Sequence, residues 1–115
     1  MTRRPVVAVL CSTPIVAGAV ESTLEFAEVR SFEAGRDTRG LLASLRPDAV
    51  VVDNDDDARD AVAVSAAPVL HIGVRTRSMR LFRDGAWAAM RADSEPEEIR
   101  NALAGALFGR GAGGA

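Results

Sequence analysis

Residues 46–57 read RPDAVVVDNDDD, and how this stretch is read decides the fold. Ala49, Val50, Val51 and Val52 form a continuous apolar run bounded by Pro47 and by acids, the pattern of a strand covered on both faces. Such strands belong to parallel sheets. In an open α/β sheet the carboxyl ends of the strands are where reactive groups collect. Asp53 stands at that end, followed by Asp55, Asp56 and Asp57.

Similar signals lie on either side. Upstream, VVAVLC (6–11) is a second buried strand, and Thr13 with Pro14 offers a helix start, with Val16, Val20 and Leu24 on one face up to about Ala27. EVRSFEA (28–34) alternates imperfectly, as a more exposed strand. DTRGLLASL (37–45) is a short helix stopped by Pro47. Downstream, residues 56–66 form a helix whose opening acids suit its positive end, and APVLHIGV (67–74) is a fourth strand.

Residues 75–91 admit two readings. One is a shortened helix followed by a strand at 86–91. The other is a hairpin between MRLFR and AWAAM, turning at Asp84-Gly85. Ser94 and Glu97 then form a capping box for a last helix with Ile99, Ala102, Leu103, Ala106 and Leu107 as its apolar stripe. Gly109 ends it. The expected organisation is one domain over 1–109 and a flexible glycine-rich tail at 110–115.

The alternation of strands and helices argues for a doubly wound α/β fold. The expected sheet is flavodoxin-like, parallel and five-stranded, in the order 2-1-3-4-5, with the fourth helix short or replaced.

Composition removes several classes of function. The chain has 115 residues and a net charge of −2, so neither nucleic acid nor an anionic membrane attracts it in bulk. No apolar run approaches the roughly 20 residues of a membrane helix. One cysteine, Cys11, excludes an internal disulfide and suits a cytoplasmic location. All 14 basic residues are arginine, and tyrosine and glutamine are absent too, so no mechanism can draw on a lysine or tyrosine.

Three stretches together resemble the receiver domains of two-component response regulators, the CheY-like superfamily. CSTPIVAGAVESTLE (11–25) is similar to the receiver's first loop and helix. LRPDAVVVD (45–53) is similar to the strand that ends in the phosphorylated aspartate, here Asp53. GAWAAMRADSEPEEIRNALAGALFG (85–109) is similar to the last strand and helix. The resemblance spans residues 6–109 and implies phosphoryl transfer to Asp53, chemistry that needs a divalent cation to offset the charge.

The departures imply that this chemistry is lost. The receiver's acid pair falls on Cys11 and Ser12, its phosphate-contacting hydroxyl on Gly73, its reporting aromatic on Ala89 and its lysine on Ala92. The resemblance therefore implies a degenerate receiver: no enzyme, no metal or other cofactor, and Asp53 a vestigial acceptor. Two alternatives stand beside it, phosphorylation of Asp53 through a non-standard site and a small enzyme or phosphocarrier using Cys11.

Three further features bear on these readings. Asp53, Asp55 and Asp57 open like a calcium loop, but Ala58 and Val64 replace its glycine and closing glutamate. His71, alone in an apolar strand, reads as a hydrogen-bonded core residue. Residues 46–60 hold six aspartates against two arginines, whereas residues 75–91 hold Arg75, Arg77, Arg80, Arg83 and Arg91 against one acid, Asp84, with Trp87 beside them. Arginine and tryptophan are enriched at interface hot spots, so this basic region is the candidate interaction surface, for a protein partner or a second copy of the chain.

Overall fold

Val7 and Val9 point to one side of their strand and Ala8 and Leu10 to the other, and all four are buried. A strand covered on both faces fixes a three-layer architecture. The computed structural model describes residues 4–32, 37–90 and 95–108. Within them the chain runs β1 (Val6–Leu10), α1 (Pro14–Thr23), β2 (Glu28–Ser31), α2 (Thr38–Leu45) and β3 (Ala49–Val52). It continues through α3 (Asp55–Val64), β4 (Val69–Gly73), β5 (Ser78–Arg83), β6 (Ala86–Met90) and α4 (Pro96–Phe108).

The strands form one six-stranded mixed sheet in the order β2-β1-β3-β4-β5-β6. The pairs β1–β2, β1–β3 and β3–β4 are parallel, while β4–β5 and β5–β6 are antiparallel. On one face, Val20 and Leu24 from α1 and Ile99, Ala102 and Leu103 from α4 pack against Val7, Val9, Val51, Leu70 and Met79. On the other, Leu42 of α2 and Ala58 and Ala61 of α3 pack against Ala8, Leu10, Val50, Val52 and Val69.

The sheet corrects the expected five-stranded parallel arrangement. The first four strands take the order 2-1-3-4, but the fifth is antiparallel and a sixth follows it. Four residues, 74–77, join β4 to β5, and a parallel crossover needs a dozen or more. The chain can only fold straight back. It turns again at Asp84 (φ 54°) and Gly85 (φ 83°), the paired positive values of a tight hairpin turn. The hairpin reading of 75–91 is thus the one adopted, and it replaces the fourth helix.

One helix boundary also moves. α1 stops at Thr23, short of Ala27, because Arg4 takes the carbonyl oxygens of Glu25 and Ala27 (2.8 and 2.9 Å) and Leu24 turns into the core. α2 ends at Leu45, where expected, and its cap residue Arg46 has a left-handed φ of 52° just before Pro47. The capping role of Ser94, the stop at Gly109 and the tail at 110–115 lie outside the described residues.

Candidate functional site

Because β3 ends at Val52, Asp53 emerges beside the β1–α1 loop, and both its carboxylate oxygens accept hydrogen bonds there. Oδ1 accepts from the Ser12 N–H (2.9 Å), the Ser12 hydroxyl (3.1 Å) and the Asn54 side-chain amide (3.2 Å). Oδ2 accepts from the Thr13 N–H (3.0 Å). Thr13 occupies the N-cap position of α1, yet its side chain makes no capping bond. Asp53 supplies acceptors to this helix entrance from 40 residues away. Burial alone would raise its pKa. The Ser12 N–H, the Asn54 amide, the Thr13 N–H and the Ser12 hydroxyl together outweigh burial and hold the pKa below its ordinary value.

The acids that follow are helical. Asn54 caps α3 by accepting from the Asp57 N–H (2.8 Å), and its amide donates to Asp57 Oδ2 (2.8 Å). Thr38 donates to Asp57 Oδ1 (2.9 Å), tying α2 to α3. Asp55, Asp56 and Asp57 form the first turn, where the helix dipole favours negative charge. They do not wrap a loop, and no group of three or more metal-ligating side chains occurs among the described residues.

The other positions that the sequence singled out have local explanations. Cys11 is buried in the core. Burial first, then the carboxylates of Asp53 and Asp57, push its thiol pKa far up, which is the wrong direction for a nucleophile. A Cβ on Gly73 would lie 2.5 Å from Thr76 Oγ1 and 2.9 Å from Ser78 Oγ, so the tight β4–β5 turn requires glycine there. Ala89 pairs with Arg80 across β5–β6, and its small side chain leaves the guanidinium room to lie over Trp87. Ala92 lies outside the described residues.

The structure brings only part of the arginine cluster together. His71 and Arg80 are cross-strand neighbours, and Arg80 donates to His71 Nδ1 (2.8 Å). Since the guanidinium is always protonated, Nδ1 is the acceptor and Nε2 carries the ring hydrogen, 3.6 Å from Asp55 Oδ1. Burial first, then Arg80, lower the His71 pKa against the opposing pull of Asp55 and Asp53, which favours the neutral ring. Arg80 stacks over Trp87 at 4.5 Å, and Trp87 meets Phe82 and His71 edge to face.

Arg77 and Arg83 stand apart from this group. Arg77 pairs with Glu95 (3.6 Å) beside an apolar groove formed by Ile15, Val16 and Ile99, and Arg83 sits at the hairpin tip near Asp84 (3.9 Å). Arg91 is outside the described residues.

Between Asp53 and the β4–β5 turn lies an open cleft of about 640 Å³. Its lining includes Thr13, Asp55, His71, Arg75, Thr76, Ser78 and Arg80. Thr76 and Ser78 were not among the residues that the sequence marked out, whereas Arg75 belonged to its arginine-rich stretch. Their convergence depends on the four-residue reversal after β4, and the only hint of it was the hairpin signal at Asp84-Gly85.

Comparison with family models, with curated proteins and with solved structures finds no match to this chain.

Proposed function

We propose that the chain is a degenerate receiver domain that regulates through protein–protein contact, independently of phosphorylation and without a catalytic step of its own. On this reading the strand order β2-β1-β3-β4, with helices on both faces, is the flavodoxin-like frame of a receiver, and the hairpin of β5 and β6 stands in for its fourth helix and fifth strand. The partner is a protein or a second copy of the chain, and the setting is cytoplasmic. No helix among the described residues is long and apolar enough to cross a membrane.

The observation that carries this reading is the engagement of both Asp53 oxygens by donors of the chain itself. An acyl-phosphate acceptor needs a free carboxylate oxygen and a cation beside it. Here both oxygens hold hydrogen bonds from Ser12, Thr13 and Asn54, and the positions of the acid pair present a buried thiol and a hydroxyl donor. The buried, high-pKa Cys11 likewise gives little support to a thiol enzyme.

Incubation with acetyl phosphate and Mg²⁺, followed by intact-mass measurement, tests the proposal. It predicts an unmodified chain. A phosphoryl adduct that disappears in Asp53→Asn would establish the alternative, a receiver phosphorylated through an unusual site.

A further inference from the structure

Most of the described arginines are neutralised. Arg30, Arg39, Arg59, Arg77, Arg83 and Arg100 each lie between 2.8 and 3.9 Å from a carboxylate oxygen. Arg4, Arg46, Arg75 and Arg80 are not paired with a carboxylate, and of these Arg75 and Arg80 share one cleft. Arg75 is exposed and makes no hydrogen bond or ion pair among the described residues. Arg80 contacts His71 Nδ1 and the face of Trp87, and no carboxylate. Both line the cleft beside Asp53.

Two acids share this cleft with them. Asp53 is ionised, but its oxygens are turned to the Ser12, Thr13 and Asn54 donors at the α1 entrance. The Asp55 side chain is 83% exposed at the rim, where water and salt screen it. The neutral ring of His71 and the Thr76–Ser78 hydroxyl pair (2.6 Å apart) complete a polar wall without negative charge.

We propose that this cleft binds a small oxyanion, the phosphate or carboxylate group of a free metabolite, between the guanidinium groups of Arg75 and Arg80. Guanidinium is planar and presents paired N–H groups that match the two oxygens of such an anion. Binding is non-covalent and makes no use of the Asp53 carboxylate as an acceptor. Such a site would be present whether or not the chain signals by protein contact. If it does, the anion offers what the missing phosphoryl switch cannot, a ligand with different affinities for two states.

Trp87 is the only tryptophan in the chain and lies under Arg80, so its emission reports on the guanidinium. Inorganic phosphate and acetate are titrated separately into the protein at constant ionic strength, with chloride as the balancing salt and the control. The expected result is a saturable change in Trp87 emission with at least one of them, half-complete in the millimolar range. Which anion acts shows whether phosphate or carboxylate is the preferred head group. Arg75→Ala, at an exposed turn position, is expected to raise the half-saturating concentration at least fivefold. Arg59→Ala, in the middle of α3 and outside the cleft lining, is expected to leave it within twofold. No response beyond that of chloride would overturn the proposal. So would an unchanged response in Arg75→Ala, or equal weakening in Arg59→Ala, which would indicate a general salt effect.

Discussion

At Asp53 the chain spends a carboxylate on its own backbone. Ser12 and Thr13 lie at the entrance of α1, and without Asp53 their N–H groups lose a charged acceptor. Asp53→Ala is expected to destabilise the fold by about 1–2 kcal/mol, towards the low end of hydrogen-bond losses because the site is half-exposed. Urea unfolding measures it. The lowered pKa gives the effect a direction in pH. Stability from the ionised carboxylate is fully present above its ordinary value of 3.8 and is lost as the pH falls through the lower folded-state value. Asp53→Asn is expected to flatten that part of the acid limb.

His71 has a depressed pKa too, so stability is expected to hold above pH 6.5 and to decline as the pH drops towards the folded-state value. Protonation also removes the acceptor that Arg80 uses. Trp87 emission is therefore expected to change with a midpoint below 6.5, and this step should vanish in His71→Phe.

At the scale of elements, the turn between β4 and β5 is the decisive piece. Gly73→Ala places a methyl against the Thr76 and Ser78 hydroxyls and is expected to cost roughly 1–3 kcal/mol, with partial recovery when Thr76→Ala is added. Gly85→Val forces a β-branched residue into a left-handed turn and is expected to cost about 1–2 kcal/mol. Thermal unfolding of each variant checks both.

These elements also mark how far the sequence could be read. β1, β3 and β4 were legible as apolar runs because burial on both faces leaves little room for polar residues, His71 of β4 being the exception. β5 was legible only as one of two readings, because Arg80 and Arg83 interrupt it and its partner strand is fixed by turn length and not by hydrophobicity. Asp53 could be located from the end of β3. Its partners are two backbone N–H groups some 40 residues distant, and backbone donors leave no trace in residue identity. The Arg80–His71 contact depends on the register of β4 against β5, which no local pattern states.

For the molecule as a whole, two faces of one sheet carry different contents. The α1–α4 face is an apolar core closed by Leu103 and Met79. The opposite face passes from the α2–α3 core to the polar array Asp55–His71–Arg80–Trp87 over the hairpin. In the proposed reading the second face has exchanged a metal-dependent phosphoryl site for a capped carboxylate and an arginine-lined cleft. The measurement that tests this most directly is an amide ¹⁵N NMR spectrum recorded before and after Mg²⁺ and then beryllofluoride, a mimic of aspartyl phosphate. The account predicts that the Ser12, Thr13 and Asn54 amides stay in place, since Asp53 keeps its four bonds. Saturable shifts of those amides at sub-millimolar Mg²⁺, moving together with Trp87, would contradict it and make the chain a working receiver.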